Sequence, residues 1–380
     1  MRVGEVPAFA VPECRGCSVV LGCARLFGYT RIVVCPLKWV KCAYEREFVA
    51  CVSAGPGVES ERVSMKTEPY REALYREAPY LRRAYVLGHP ISHSLSPALH
   101  RAAYDFLGEQ NLGYERRDTL PDDLPEIMHG VRHPDGTEDA PYIAGLSVTM
   151  PLKTAVIQYC DEISEMAQVT GAVNTVYPRG EKVLGHNTDV IGIVNALRHA
   201  GLEPEPLTDS AAIVGGGATA ISALTALHAL GYRRVSVYAR SLHKLGSVQE
   251  PADRLGVQLE QISLAELPQN LAERGHHPVV STLPAHAADE WASQLSGLKG
   301  ACSTHRPVLL DVAYNPWPSV LASAWEANGG TVVSGLEMLL YQAVEQVLLF
   351  TDRTLSEGEL LGLVNAMCEA VDLPLRASVS

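Results

Sequence analysis

Short apolar runs and windows of helical spacing alternate along most of this chain. Runs rich in β-branched and aromatic residues that stop at glycine, proline or polar residues predict strands. Such runs lie at 83–88, 142–149, 172–177, 183–185, 211–214, 235–239, 279–282, 309–313 and 331–333. Windows with an apolar residue at every third or fourth position lie between many of them and predict helices. The alternation predicts an α/β protein.

The helical windows are the longest regular patterns in the sequence. They begin behind Pro97 and cover 153–163, 190–199, 337–350 and 357–371. Pro97 suits the first turn of a helix, where a backbone N–H has no partner to lose. The segment 201–209 contains two prolines and predicts a linker between two alternating units.

Composition restricts the class of protein further. Hydrophobic residues make up 47% of the 380 residues and charged residues 19%, which excludes a disordered chain. The length predicts two domains and a remainder. The net charge of −12 argues against a nucleic-acid-binding protein.

The first 64 residues differ from the rest in charge and cysteine content. They carry six of the nine cysteines and a net charge of +2, whereas the remainder carries −14. Cys14 and Cys17 form a C-x-x-C pair, but no second half-site follows at the spacing of a zinc site. The most apolar window, 18–34, contains two arginines, so neither a membrane span nor a secretory signal is expected. We expect 1–64 to be a disordered or artefactual extension of a cytoplasmic protein, with Met65 as its true first residue.

A glycine-rich turn follows the strand predicted at 211–214 and opens a helical window. It consists of Gly215, Gly216, Gly217, Ala218, Thr219 and Ala220. In a G-x-G-x-x-A motif the first glycine permits the tight turn, the second admits a pyrophosphate, and the alanine lets helix and strand pack closely. The turn predicts a dinucleotide site, and the alternative is a structural glycine turn.

The end of the next strand indicates which dinucleotide is bound. NAD enzymes usually place an acidic residue there to bind the ribose 2′-hydroxyl. This chain has Arg240 there, with Lys244 one turn later. A guanidinium pairs well with a phosphate, so the sequence favours NADP. The alternative is a solvated basic pair.

Four polar clusters lie at predicted strand-to-helix junctions, where α/β proteins bind ligands. They occupy 94–96, 149–153, 171–175 and 187–189. Each has a simpler explanation: Ser94 and Ser96 could cap a helix, Lys153 could be a surface residue, Asn174 could satisfy a turn, and Asp189 could cap the next helix.

Taken together, these motifs resemble those of the shikimate dehydrogenase family over about 84–350. The matching motifs are Ile91-Ser-His-Ser-Leu-Ser-Pro97, Ser147-Val-Thr-Met-Pro-Leu-Lys153, Gly171-Ala-Val-Asn-Thr175, Asn187-Thr-Asp189 and Gly335-Leu-Glu-Met-Leu-Leu-Tyr-Gln342-Ala343. Five motifs in order, together with the glycine turn, are far more specific than any one of them.

The resemblance implies a reversible, NADP-dependent conversion between shikimate and 3-dehydroshikimate in chorismate and aromatic amino acid biosynthesis. Lys153 and Asp189 would be the catalytic pair. The substrate carboxylate would contact Ser94, Ser96 and Tyr314, and the ring hydroxyls Thr149, Asn174, Asp189 and Gln342. NADP would contact Gly215, Gly216, Gly217, Ala218, Thr219, Arg240, Ser241, Lys244, Thr282 and Gly335.

The resemblance also implies two domains with a cleft between them. An α/β substrate-binding domain would cover 65–188 and be completed by 336–378, and a Rossmann-type NADP-binding domain would cover 189–335. The small-molecule substrate is the expected partner, with no nucleic acid and no membrane, and the chain is expected to be a monomer or a homodimer.

Some positions depart from the family pattern. Ser147 stands where the family often has asparagine, so a hydrogen bond is expected to differ. Val190 stands where glycine is usual, and Ser-Thr-Leu-Pro at 281–284 replaces Asn-Ala-Thr beside the nicotinamide. These changes are expected to shift cofactor geometry without removing the reaction.

Two other functions are compatible with this fold. A quinate/shikimate dehydrogenase that uses NAD would tend to carry threonine at the second serine and an acidic residue at the strand end; Ser96 and Arg240 argue against it. A non-catalytic dinucleotide-binding sensor would show erosion of the catalytic pair, but Lys153 and Asp189 are both present.

Overall fold

Two six-stranded sheets form the frame of the part of the chain that the structure describes. This computed structural model describes residues 82–133, 142–202, 210–295 and 306–378. All of them fall within one compact unit, Pro79–Ser380. The extension predicted at 1–64 and most of the predicted linker lie outside the described residues.

The first sheet mixes parallel and antiparallel pairs. Its strands are β1 (Arg82–Gly88), β2 (Leu112–Asp118), β3 (Tyr142–Val148), β4 (Glu162–Ile163), β5 (Thr175–Arg179) and β6 (Lys182–His186). The order is β2-β1-β3-β5-β6-β4. β1 is parallel to β2 and β3, whereas β5 is antiparallel to both its neighbours. The strand order reverses beside β1, and the carboxyl end of such a strand is where α/β sheets bind ligands.

The second sheet is parallel throughout. Its strands are β7 (Ser210–Val214), β8 (Arg234–Ala239), β9 (Gln258–Ser263), β10 (Val279–Ser281), β11 (Val308–Asp311) and β12 (Thr331–Ser334). The order is β12-β11-β10-β7-β8-β9, with every pair parallel. The order reverses between β7 and β10, so the ligand crevice of this sheet is expected at their carboxyl ends.

Helices connect the strands of both sheets. They are α1 (Ser96–Leu107), α2 (Leu124–Arg132), α3 (Glu165–Thr170), α4 (Asp189–His199), α5 (Ala218–Ala229), α6 (Gly246–Leu255), α7 (Leu267–Arg274), α8 (Asp289–Ala292), α9 (Val320–Ala327), α10 (Gly335–Thr351) and α11 (Glu357–Ala370). The α/β class predicted from the alternating pattern is confirmed, and the predicted strand ends differ from the observed ones by at most three residues.

Helix α10 contributes to the hydrophobic cores of both sheets. Met338 and Tyr341 pack with α4 and the second sheet, whereas Leu340, Val344 and Val347 pack with α1 and the first sheet. Its amphipathic pattern in the sequence therefore reflects two buried faces. A helix that is buried on both sides holds a fixed place, which suits it to carry site residues.

The helix predicted at 153–163 is wrong in type and length. The chain forms a 3₁₀ helix over Ala155–Tyr159 and then the short strand β4. The amide of Asp161 donates to the Val183 carbonyl at 2.8 Å, and the amide of Ser164 donates to Gly185 at 2.9 Å. Pairing with β6 draws the chain into the sheet, and this outweighs the local helical spacing.

Five elements were not identified from the sequence. They are β2, β4, β9, α2 and α3. β2 contains four charged residues at its carboxyl end and is an edge strand of the first sheet, so its apolar signal is short. β9 is the edge strand of the second sheet and shows a similar mixture. Edge strands face solvent on one side, which weakens the pattern that reveals them.

Candidate active site

The carboxyl end of the first sheet brings a lysine and an aspartate together. Lys153 lies in the loop after β3, and Asp189 is the first residue of α4. The Lys153 Nζ lies 2.6 Å from the Asp189 Oδ2, and the two side chains are only 19% and 8% exposed. An amine held by a carboxylate at this distance can exchange a proton with a ligand that reaches it. The sequence placed these two residues together, and the structure does so as well.

Asn174 fixes the other oxygen of Asp189. Its Nδ2 donates to the Asp189 Oδ1 at 2.7 Å and approaches the Gln342 Oε1 at 3.4 Å. Its Oδ1 accepts from the amide of Thr188 and from the hydroxyl of Thr175, each at 2.7 Å. Because one oxygen receives two donors, the orientation of the amide follows from the network. Lys153, Asn174, Asp189 and Gln342 thus form one connected group.

Asn187 holds the start of α4 in place. Its Oδ1 accepts from the amide of Asp189 at 3.0 Å, and its Nδ2 donates to Thr170 at 2.8 Å and to the Ala172 carbonyl at 3.2 Å. The side chain is buried, so its hydrogen bonds are made in a low-dielectric setting. The asparagine of the Asn-Thr-Asp motif therefore orients the aspartate through the backbone.

A second buried glutamine binds the backbone of Asn174, and it was not identified from the sequence. Gln346 lies one turn after Gln342 on α10, so the i+4 spacing could have revealed it. Its Nε2 donates to the Asn174 carbonyl at 3.2 Å and to Thr175 at 3.0 Å. Its Oε1 accepts from the hydroxyl of Ser147 at 2.7 Å.

This network shows what Ser147 does where the family often has asparagine. The Ser147 hydroxyl donates to Gln346 and accepts from the Tyr114 hydroxyl at 2.7 Å. His100 stacks on Tyr114 with 3.8 Å between ring centroids, and its Nε2 lies 3.3 Å from the Gln346 Oε1. Burial lowers the pKa of His100 to about 3, so the ring is neutral at physiological pH. The side chains next to Asn174 in this network, namely Gln346, Ser147, Tyr114 and His100, are therefore polar but uncharged.

The two serines predicted for a carboxylate lie in the loop after β1. Ser94 is half-buried, and its Oγ accepts from the amide of Ser96 at 3.3 Å at the start of α1. Ser96 is buried and interacts with the Tyr114 hydroxyl. Ser94 therefore binds an amide in the first turn of α1, which is part of the helix-capping role given above as the alternative for these serines. Thr149 directly follows β3, and its amide donates to the Leu87 carbonyl of β1 at 2.8 Å.

Tyr314 lies beside the second sheet, and among the described residues no hydrogen bond joins it to the Lys153 network. It lies in the loop after β11, which Asp311 stabilises. The carboxylate of Asp311 accepts from the Ser319 hydroxyl at 2.6 Å and from the Ala313 amide at 3.4 Å. Burial raises the pKa of the Tyr314 hydroxyl, which therefore stays protonated as a hydrogen-bond donor.

The glycine turn lies where the order of the second sheet reverses. Gly215 has φ +118°, and a Cβ there would come within 2.4 Å of the Thr282 Oγ1, so only glycine fits. The Thr282 hydroxyl donates to the Val214 carbonyl at 3.1 Å. Gly217 is the N-cap residue of α5, is exposed, and would place a Cβ in open space. Free N–H groups at this helix start suit an anion such as a pyrophosphate.

The remaining cofactor candidates lie at three strand ends of the second sheet. Arg240 follows β8, and Lys244 ends a 3₁₀ helix over Leu242–Lys244; both are exposed, and neither forms an ion pair with a described acidic residue. Ser241 between them is half-buried. Gly335 opens α10, and a Cβ there would lie 2.0 Å from the Val312 carbonyl oxygen, so the helix start and the loop after β11 touch.

No group of three or more histidine, cysteine, aspartate or glutamate side chains among the described residues could hold a metal ion. No helix among them is both long and apolar enough to cross a membrane.

Comparison with known proteins identifies relatives over most of the chain. The family model of the shikimate dehydrogenase substrate binding domain matches residues 86–176. The pentafunctional AROM polypeptide 2 of Lodderomyces elongisporus is 36% identical over 296 residues, which is 74% of this chain and 18% of that protein. The pentafunctional AROM polypeptide of Saccharomyces cerevisiae is 35% identical over 272 residues, or 69% of this chain. The chain therefore spans about a fifth of the length of these curated relatives.

Solved structures match the chain over nearly their whole length. Shikimate dehydrogenase of Mycobacterium tuberculosis is 35% identical with a TM-score of 0.64, and the match covers 76% of this chain and 99% of that one. A shikimate 5-dehydrogenase of Mycobacterium fortuitum is 36% identical with a TM-score of 0.61, covering 74% and 97%. Shikimate 5-dehydrogenase of Thermus thermophilus, in complex with NADP(H) and shikimate, is 27% identical with a TM-score of 0.60, covering 76% and 99%. With two thirds and more of such relatives covered at over 30% identity, the chain belongs to the shikimate dehydrogenase family.

Proposed function

We propose that this chain interconverts shikimate and 3-dehydroshikimate with NADP(H), as a step of chorismate and aromatic amino acid biosynthesis. The observation that carries the proposal is the Lys153–Asp189 pair at 2.6 Å, which Asn174 holds from the other side. The relatives named above as shikimate dehydrogenases support the substrate, and the T. thermophilus complex supports both substrate and cofactor.

In this proposal each sheet holds one reactant. The substrate domain covers 65–188, completed by 336–378, and the cofactor domain covers 189–335. The cytoplasm is the proposed location. Ser94, Ser96 and Tyr314 hold the substrate carboxylate, whereas Thr149, Asn174, Asp189 and Gln342 bind ring hydroxyls.

The residues of the second sheet fit a dinucleotide phosphate. Gly215 has room for no side chain, and Gly217 leaves open space at the start of α5. Arg240, Ser241 and Lys244 would hold the 2′-phosphate of NADP, since the first and last are exposed cations without a described acidic partner. Thr282 and Gly335 border the same crevice. NADP, when bound, supplies the hydride acceptor for oxidation and the donor for reduction.

The Lys153–Asp189 pair handles the proton. As the carbinol of shikimate is oxidised, its hydroxyl proton leaves, and the Lys153–Asp189 pair takes it up. In the reverse direction the ammonium of Lys153 returns that proton to the new hydroxyl oxygen. Asp189 orients the Lys153 amine through Oδ2, while Asn174 prevents the carboxylate from rotating. General acid–base groups of this kind contribute about 10²- to 10⁴-fold.

Steady-state oxidation assays test this function and separate it from the alternative. Shikimate and quinate are each assayed with NADP and with NAD, following absorbance of the reduced nicotinamide. We expect the highest kcat/KM for shikimate with NADP. Equal or better activity with NAD would overturn the cofactor proposal, preference for quinate would support the quinate/shikimate alternative, and no turnover with NADP or NAD would favour a non-catalytic sensor.

A further inference from the structure

Arg116 binds the loop that carries the two proposed carboxylate-binding serines. It lies on β2, the edge strand beside β1, and its side chain is exposed. Its Nε and Nη2 both donate to the carbonyl oxygen of Ser94, at 2.9 and 2.6 Å. Two donors on one acceptor hold the planar guanidinium in a single orientation. The positive charge is therefore fixed next to this loop.

The charge of Arg116 is not used by an acidic side chain among the described residues. Asp118 lies two positions further along β2 and on the same face, but its Oδ1 contacts the His89 Nδ1 at 2.7 Å. No described carboxylate forms an ion pair with Arg116. Lys153, the cation of the proposed catalytic pair, is already paired with Asp189. Arg116 thus offers an ordered, uncompensated positive charge.

The electrostatic effect of Arg116 reaches both sides of the proposed carboxylate site. Burial raises the pKa of Tyr314, and the Arg116 charge opposes that rise. The same charge opposes the raised pKa of Tyr114, whose hydroxyl interacts with Ser96. The Arg116 guanidinium therefore contacts Ser94 directly, and its charge also acts on Tyr314 and on Tyr114, the partner of Ser96.

The chemistry of the substrate needs such a charge. Shikimate and 3-dehydroshikimate carry a carboxylate that is ionised at neutral pH, whereas serine and tyrosine hydroxyls are neutral. Neutral donors bind a carboxylate less strongly than charged donors do, and they leave its charge uncompensated. A guanidinium fixed beside these hydroxyls supplies the positive charge that compensates the carboxylate.

We propose, on the basis of the function proposed above, that Arg116 is a specificity-determining residue that selects substrates with a carboxylate. Its guanidinium attracts the substrate carboxylate and positions Ser94 to donate to it. Neutral analogues of the same ring gain nothing from the charge.

The test compares shikimate with its neutral carboxamide in wild type and in Arg116→Gln. We expect KM for shikimate to rise about tenfold or more in Arg116→Gln, which corresponds to about 1.4 kcal/mol. KM for the carboxamide should change less than twofold, and kcat for shikimate less than threefold. Arg116→Lys keeps the charge but not the two-donor geometry, so its KM should lie between the two. Salt should raise the wild-type KM for shikimate more than that of Arg116→Gln, because an exposed charge is screened.

Arg117→Gln is the matched control. It removes the same charge from the next position of β2, whose side chain points to the opposite face. Its KM for shikimate should equal that of wild type, and thermal unfolding should show that all variants are folded. If Arg116→Gln is not folded, the comparison of both substrates in Arg116→Lys and the salt dependence of wild type decide the question.

Three results would overturn the inference. An equal rise in KM for shikimate and its carboxamide would mean that Arg116 only shapes the loop. An unchanged KM for both would mean that it has no part in binding. A wild-type chain that does not turn over shikimate at all would overturn the proposed function, and this inference with it, whereas an active wild type with an unaffected Arg116→Gln overturns this inference alone.

Discussion

At the scale of single residues, the candidate site combines one ion pair with a neutral support. Lys153 and Asp189 carry the charges, and Asn174 and Gln346 supply amide groups whose donors and acceptors are satisfied by the network. Buried polar groups cost free energy when they lose a partner. The positions of the two charged atoms are therefore defined by uncharged neighbours.

Replacing Lys153 with alanine should remove most of the turnover. We expect kcat for shikimate oxidation to fall by about 10²- to 10⁴-fold, because the hydroxyl proton loses its acceptor in the transition state. KM should change little, since the interaction matters mainly in that state. Lys182→Ala, which removes an exposed lysine paired with Glu162, is the control. Turnover of Lys153→Ala near the wild-type level would contradict the assigned role.

His100 should make the protein sensitive to acid. Its pKa is about 3 in the folded state and 6.5 in the unfolded chain, so the unfolded chain binds a proton first as pH falls. Stability from this group is present above pH 6.5 and decreases toward pH 3, by about 1.4 kcal/mol per pH unit. Between pH 7 and 4.5 the loss is about 2–3 kcal/mol.

Urea unfolding at several pH values measures this effect. His100→Gln lacks the titrating ring, so its free energy of unfolding should decrease less steeply with acid than that of wild type. His243→Gln, which removes an exposed histidine, should follow the wild-type slope. Identical slopes for wild type and His100→Gln would show that the buried ring does not govern acid stability.

At the scale of elements, the ends of strands and helices position the chemistry. The loops after β1 and β3 bring Ser94 and Lys153 to one edge of the first sheet, and α4 begins at Asp189. The glycine turn joins β7 to α5 at the reversal of the second sheet. Helix α10 then carries Gln342 and Gln346 one turn apart, so a single buried helix supports two layers of the site.

Two glycine substitutions should separate folding from cofactor binding. Gly215→Ala forces an alanine to φ +118° and against Thr282, which should lower the free energy of unfolding by about 1–3 kcal/mol. Gly217→Ala adds a methyl group to open space at φ −89°, so stability should stay within about 0.5 kcal/mol. That methyl group should nevertheless weaken NADP binding, because it occupies the approach to the helix start.

Thermal unfolding and titration with NADP check both expectations. An unaltered melting temperature for Gly215→Ala would refute the steric argument. An unaltered Kd for Gly217→Ala would show that the phosphates do not approach this glycine.

At the scale of the whole molecule, two cores share helix α10, and an acidic chain carries an exposed basic pair. Helix α4 packs on α10, which contributes to the cores of both sheets, so ligands on either sheet act on connected cores. The net charge is −12, yet Arg240 and Lys244 lie exposed at the end of β8. Binding of an anionic ligand at Arg240 and Lys244 should therefore depend on their local positive charge, although the net charge of the chain is negative.

NADP should stabilise the folded chain more than NAD does. A ligand at 100 times its Kd adds about 2.7 kcal/mol to the free energy of unfolding. At equal concentrations the melting temperature should rise more with NADP, because Arg240 and Lys244 meet the 2′-phosphate. Arg240→Gln should reduce the difference, whereas Arg198→Gln, which removes an exposed arginine of α4, should keep it. Equal shifts with both cofactors in wild type would refute the assigned preference.

Much of the fold could be predicted because strong local patterns mark it. The glycine turn, the buried strands β7 and β8, and the amphipathic helix α10 all lie where the sequence predicts them. The failures occur where local and tertiary preferences disagree. The helix predicted at 153–163 yields to pairing with β6, and the edge strand β2 has too few apolar residues to be recognised.

The sequence by itself determined the α/β class, most of the strands and longer helices, and the motifs that identify the candidate residues. Hydrophobic spacing and glycine positions are local properties, so they can be read along the chain. The tertiary structure alone decided which side chains meet. Gln346, Ser147, Tyr114 and Arg116 become part of the site because β2, β3 and α10 pack together, and residues as far as 199 positions apart in the chain then share hydrogen bonds. Contacts of that range depend on packing, which no local pattern records.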